Sequence, residues 1–315
     1  MNTAKQSASL IKKLFALSRT QHIVIDIAAP AVCALIVLGY IPSISVVVIG
    51  LITAFAGYNA IYALNDIVGR HLDQKKMMGT TDHIGYSVES SELRHPLAQG
   101  ELSLTSAITW VATCGLVALL GAYWLNPIAA AILILGGLLE TIYCLLIKVS
   151  HWRVIISAIV KACGPVAAIL AVTSEPPLPL LIGLTTWVML WEVGGQNIPA
   201  DWTDIDEDKR ADSRTTPIRY GSNTTRKIIV ASLALTLLTL LISVLNSPMA
   251  YSTLTAILTI VPGALLLTIP GHRLFRNPQP RQAAQLFSVA SFYPLSIFLI
   301  VGAVIVLHSL LSLLL

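Results

Sequence analysis

Charge is what this chain has least of. Asp, Glu, Lys and Arg together make up 11% of its 315 residues, less than half the share usual in soluble domains. With 55% hydrophobic residues and a mean hydropathy of +0.77, that shortage excludes an ordinary soluble globule and a disordered chain. Cysteine is equally sparse. Cys33, Cys114, Cys144 and Cys163 lie inside apolar runs at unrelated spacings, which excludes a disulfide framework and a zinc site and leaves them as small hydrophobes. No Pro/Ser-rich linker interrupts the chain, so residues 1–315 are expected to form a single transmembrane domain. Strict apolar/polar alternation is missing too, which argues against a transmembrane barrel and for helices.

What is present is a succession of apolar runs, each near the 20 residues that cross a bilayer. Nine are expected, at about 22–41, 43–65, 103–125, 127–147, 153–173, 179–199, 227–245, 250–270 and 286–313, giving an all-α polytopic membrane protein. Residues 1–21, with Lys5, Lys12, Lys13 and Arg19 beside Leu10, Ile11, Leu14 and Phe15, read as a basic amphipathic entry segment and not a cleavable signal.

The few cations are distributed unevenly. Nineteen of the 20 Lys and Arg fall before the first run or in alternate connections, and Lys161 alone lies inside a run. The intervening connections, around Pro42, Asn126, Glu175–Pro179 and Asn246–Pro248, carry none. The positive-inside rule therefore places the N-terminus on the cytoplasmic side and the C-terminus outside. It also explains the net charge of +4 as topology and contact with anionic lipid, with no nucleic-acid partner and no obligatory protein partner implied.

Acidic residues are scarcer still, and half of them are concentrated. Eight of the 16 fall in Asn65-Asp66-Ile67-Val68-Gly69-Arg70-His71-Leu72-Asp73, in Asp201-Trp202-Thr203-Asp204-Ile205-Asp206-Glu207-Asp208, or at Asp212. Crowded carboxylates repel unless a cation neutralises them, which points to a divalent metal. Residues 65, 69 and 73 step by four along one helix face, presenting an amide, a hydrogen and a carboxylate. Asp201, Asp204 and Asp208 step by three and four, again expected on one face. Two such faces across a cavity suit Mg²⁺, a hard ion commonly held by carboxylates plus substrate phosphates. Asn65, Asp66, Asp73, Asp201, Asp204 and Asp208 are the expected ligands. A solvated acidic loop is the alternative for either stretch alone.

These stretches resemble the two aspartate-rich motifs of the UbiA superfamily of intramembrane prenyltransferases, N-D-x-x-D-x-x-x-D and D-x-x-D-x-x-x-D, and the resemblance covers nearly the whole chain. Asp201, Asp204 and Asp208 complete the second motif. Arg94-His95-Pro96-Leu97-Ala98-Gln99-Gly100 resembles the family's R-P-x-x-x-G element. Lys209–Arg210 and Arg214-Thr215-Thr216-Pro217-Ile218-Arg219-Tyr220-Gly221 resemble its basic tail, and Tyr143 with Lys148 resemble the end of its fourth span. The resemblance implies a nine-helix bundle, an isoprenyl diphosphate substrate bound through Mg²⁺, and the acidic motifs at the cytoplasmic surface. Arg70, Arg94, Lys148 and Lys209 are then candidates for diphosphate contact, with Tyr143 beside them, since such donors stabilise the charge growing on a departing diphosphate.

Gly69 departs from the usual aspartate. N-x-x-x-G-x-x-x-D followed by D-x-x-x-D, here Asn65, Gly69, Asp73, Asp204 and Asp208, resembles the superfamily's membrane-bound terpene cyclases, whose substrate attacks its own cation. Cyclisation of that kind would need no second substrate; transfer to an aromatic or other acceptor is the alternative. Tyr58 and Tyr62 stand one turn apart, as do Trp187 and Trp191, and their π faces fit either a carbocation cavity or plain packing. Glu192, deep in a span, is a candidate base or a partner of Lys161; Asp26 and Glu140 are expected near span ends, solvated or helix-paired. A transporter using these acids for ion coupling is a third reading, but transporters bind near the midplane and these acids cluster at one end.

Overall fold

The computed structural model describes residues 9–77 and 95–314. Regular structure among them is helical throughout, and nine helices are long and apolar enough to cross a membrane: Thr20–Leu38, Ile44–Lys76, Leu104–Leu125, Pro127–Lys148, Arg153–Val172, Leu178–Thr203, Thr216–Leu245, Ser252–Arg276 and Pro280–Leu314. They are called spans one to nine. The entry segment forms a short amphipathic helix, Leu10–Leu17, whose N-terminus is capped by Ser9 accepting from the Lys12 amide. Arg19, in the left-handed region at φ 50°, turns the chain from that helix into span one.

Local chemistry sets the boundaries. Asn126 caps span four by accepting from the Ile128 amide at 2.8 Å, with Pro127 in the first turn, where its missing N–H costs nothing. Gly39 ends span one at φ 75°; a β-carbon there would lie 2.9 Å from the backbone of Met249, so the left-handed cap and the close approach both require glycine. Two spans run longer than expected. Span two continues as helix through the whole first acidic stretch to Met77, and a helical turn from Thr216 precedes the main helix of span seven, separated from it by a kink at Gly221 with φ 67°.

Neighbouring spans pack two by three, four by five, six by seven, and one against five and nine. The main apolar core lies among spans one and five to nine, built on Trp187, Trp191, Ile198, Trp202, Ile229, Leu233, Leu267, Tyr293 and Ile297. The side chains on the other flanks of spans two, three and four are widely exposed and apolar, including Leu51, Ile52, Leu116, Leu120, Ile134 and Leu138, as a lipid-facing surface must be. Between the two groups the bundle leaves a cavity of about 2040 Å³.

Candidate active site

Both acidic stretches open onto this cavity. Asn65, Asp66, Gly69 and Asp73 line it from span two, and Asp201, Asp204, Asp206 and Asp208 line it from span six and the turn beyond. Span two is unbroken here, so its side chains share a face as the four-residue spacing predicts. The second stretch differs: its helices are Ile198–Thr203 and Ile205–Arg210, hinged at Asp204 with φ −96° and ψ 18°. Asp201 and Asp208 therefore reach the cavity from two short helices, not from one continuous face.

The carboxylates come with basic partners. Asp66 and Asp73 each approach His95 Nδ1, at 3.0 and 3.5 Å, and one ligand atom from each of the three lies within 4.8 Å of the others. Arg19 stands 3.7 Å from Asp66. Lys76 pairs with the buried Asp208 at 2.6 Å, and Arg153 lies 3.6 Å from Asp201. Arg153 also donates to Tyr143 Oη and stacks over its ring at 4.2 Å. Asn65 donates to Glu140 Oε1 at 2.5 Å, so its amide nitrogen is engaged with span four while the residue lines the cavity. Of the expected ligands, Asp66 and Asp73 gather with His95 within ligand reach. Asp201, Asp204 and Asp208 line the same cavity, with Asp201 and Asp208 held by Arg153 and Lys76. Their carboxylate oxygens are the donor type that suits a hard divalent ion such as Mg²⁺.

Gly69 faces the same space. A β-carbon added there would lie 3.1 Å from Asp73 Oδ2 and 3.8 Å from its Cγ. The carboxylate of Asp73 thus folds back over the helix face where a side chain at 69 would stand.

A second polar layer lies deeper. Lys161 on span five pairs with Asp26 on span one at 2.8 Å, and Tyr62 donates to the same Asp26 oxygen. Lys161 and Tyr62 line the cavity while Asp26 sits behind them, 1% exposed. Pro165 has no N–H to give the Lys161 carbonyl, so the helix is loosened one turn past this lysine. Glu192 lines the cavity beside Ser157, whose hydroxyl donates to Glu192 Oε1 at 2.7 Å.

Several expectations are displaced. Arg70, Lys148, Lys209 and Trp191 do not line the cavity. Arg70 donates to its neighbour His71, Lys148 is exposed, and Lys209 points outward 3.6 Å from Asp206. Each follows the carboxylate or tyrosine face by a step that a helix turns away. Trp187 and Trp191 belong to the core, with Trp191 Nε1 donating to the Ala290 carbonyl; Tyr58 and Tyr62 line the cavity, together with Phe15, Tyr143, Phe287 and Phe298. Asp26 and Glu140 are buried instead of solvated, though Asp26 keeps a helix partner in His22 at 3.6 Å, and Lys161 forms an ion pair with Asp26. Arg94 lies outside the described residues. In place of the displaced bases stand Arg19, Lys76, His95, Arg153 and Lys161. Lys76, three residues past Asp73 on the same helix face, was visible in the spacing; Arg153 left no such signal.

The family described as the UbiA prenyltransferase family matches residues 27–311. Among curated proteins, a protoheme IX farnesyltransferase of Idiomarina loihiensis is 29% identical over 145 residues, 44% of this chain and 43% of that protein, so the match spans less than half of the relative's length. Among solved structures, a UbiA homologue of Archaeoglobus fulgidus bound to GPP and Mg²⁺ superposes with a TM-score of 0.69 at 19% identity, covering 93% of this chain and 99% of that one. A UbiA homologue of Aeropyrum pernix K1 gives 0.69 at 18% identity, with 92% and 99% covered. These structural likenesses establish a shared fold.

Proposed function

The chain belongs to the UbiA prenyltransferase family, and from that premise we propose that it is a membrane-embedded terpene cyclase. It ionises an isoprenyl diphosphate, with geranylgeranyl diphosphate the preferred length, and closes the allylic cation on the substrate's own double bonds. Its single domain spans 1–315, with the N-terminus and both acidic stretches on the cytoplasmic side, and it works without a protein partner. The observation that carries this reading is Gly69, whose missing side chain leaves the helix face to the Asp73 carboxylate.

Asp66, Asp73, Asp201, Asp204 and Asp208, with Asn65 beside them, would hold Mg²⁺. Bound there, the ion supplies Lewis-acid neutralisation of the diphosphate. Arg19, Lys76, His95 and Arg153 stand among these carboxylates and donate to the diphosphate oxygens as the C–O bond breaks and its electron pair leaves with oxygen. Below them the apolar wall excludes water, which keeps the cation from capture while the chain folds on itself. The rings of Tyr58 and Tyr62 offer π faces along that path. The cation ends by losing a proton.

The test is direct. Liposomes carrying the protein, given C10, C15 or C20 diphosphate and Mg²⁺ without any acceptor, should release diphosphate and a cyclic hydrocarbon detectable by mass spectrometry of the extract. Strict dependence on an added aromatic or other nucleophilic acceptor overturns the proposal. One observation favours such transfer as a second reading: Lys161, braced by Asp26, turns an ammonium toward the cavity, where it would suit an electron-rich acceptor group. Prenyl transfer predicts a prenylated product and activity preserved or raised by Gly69→Asp.

A further inference from the structure

A continuous chain of polar side chains climbs one wall of the cavity. At its upper end Arg153 lies 3.6 Å from Asp201 and donates to Tyr143 Oη. Asn197 Nδ2 donates to the same phenol at 2.9 Å and to Ser157 Oγ at 3.0 Å. Ser157 in turn donates to Glu192 Oε1 at 2.7 Å. Spans four, five and six each contribute to it, and all six residues line the cavity. Asp201 follows Glu192 in span six with the whole π-helical turn and the start of the next helix between them, so the chain connects the carboxylate layer to a point below it.

The shape of span six makes this possible. Glu192–Asn197 form a π-helical turn, a feature frequent at functional sites; a second such turn, Gly263–Thr268 in span eight, lies away from the cavity. The wider turn directs Glu192 and Asn197, five residues apart, to one wall. Gly194 and Gly195 allow it, because β-carbons there would lie 2.8 Å from Ser232 Cβ and 3.1 Å from Trp191 Cδ1. Glu192 Oε1 is engaged by Ser157, and the carboxylate sits 7% exposed against the cavity, where a buried acid with no solvation to offer is costly unless used.

We propose that Glu192 is the base that takes the proton lost in the product-forming step, and that Ser157 and Asn197 are the positioning residues that fix its carboxylate. The C–H bond beside the terminal cation breaks, its electron pair becomes the new C=C bond, and the proton passes to Glu192, which later returns it to solvent or to the departing diphosphate. The assignment deepens the cyclase reading; transfer to an aromatic acceptor also ends in loss of a proton, so the assignment is tested separately from it.

The experiment measures two things for each variant with geranylgeranyl diphosphate and Mg²⁺: diphosphate released, and the identity of the extracted products. In Glu192→Gln, diphosphate release should persist while the wild-type product falls by about 100-fold, the lower range for a placed acid–base group, and alcohols or isomeric olefins take its place. Ser157→Ala and Asn197→Leu should shift the product ratio the same way, and Ser157→Thr, which keeps the hydroxyl, should restore it. An unchanged product ratio across Glu192→Gln and Ser157→Ala overturns the proposal, as does a parallel fall of diphosphate release and product with the ratio intact. Should Glu192→Gln fail to fold, the Ser157→Ala and Ser157→Thr pair decides alone. If wild type requires an acceptor, the cyclase reading fails, and the same variants are scored by prenylated product against hydrolysed isoprenyl alcohol.

Discussion

At the scale of single residues, a missing side chain and a buried pair matter most. A β-carbon at 69 would meet only the end of the Asp73 side chain, so Gly69→Ala should cost little, since that carboxylate swings aside. Gly69→Asp adds a second carboxylate against the first, and like charges at that range repel strongly. Acceptor-free product formation should fall about tenfold, a barrier rise of about 1.4 kcal/mol, read from product yield at saturating Mg²⁺. Lys161 and Asp26 form the other case. Removing one partner leaves a buried charge, so Lys161→Met should destabilise by about 3–5 kcal/mol, while adding Asp26→Leu should recover much of that loss; thermal unfolding in detergent measures both. Spacing showed the carboxylates themselves, because helical periodicity is local. It failed for the cations: Arg70 and Lys209 are next to carboxylates in sequence but turn away from them, whereas Arg153 reaches Asp201 from another span.

At the scale of elements, span six carries the most information. Its acidic stretch reads as one helical face, but the chain hinges at Asp204 and, about two turns earlier, widens into the π-helical turn at Glu192–Asn197. The hinge was not legible, but the wide turn had a signal in the glycine pair and in Pro199, which has no N–H to give the Gly195 carbonyl. The packing against span seven explains the turn: Gly194 presses on Ser232 and on the Ile229 carbonyl. Gly194→Ala should therefore destabilise the protein by about 1–3 kcal/mol through overpacking and shift the product ratio by moving Glu192. A lowered unfolding midpoint with unchanged products would separate the two effects and confine the glycine to packing. Span two behaved differently, because its acidic end stays helical to Met77 and so keeps the periodic face intact.

At the scale of the whole molecule, the cavity joins a charged mouth to an apolar body. Its volume of about 2040 Å³ exceeds that of common small-molecule pockets, room enough for a long isoprenyl chain to fold. Chelation should abolish product formation and Mg²⁺ should restore it. A non-ionising isoprenyl thiodiphosphate with Mg²⁺ should also raise the unfolding midpoint, since a ligand at 100 times its Kd adds about 2.7 kcal/mol. Asp73→Ala with Asp208→Ala should erase that rise.

Membrane class, the crossings and the carboxylates could all be read along the chain, because hydropathy, length and helical spacing act over a few turns of one segment. Which cations meet those carboxylates, and which acids are buried beneath them, became visible only in the packed bundle. Lys161 and Asp26 are 135 residues apart, and Asn65 and Glu140 are 75 apart. Contacts of that kind depend on how the spans rotate and pack against one another, and no local pattern encodes that rotation.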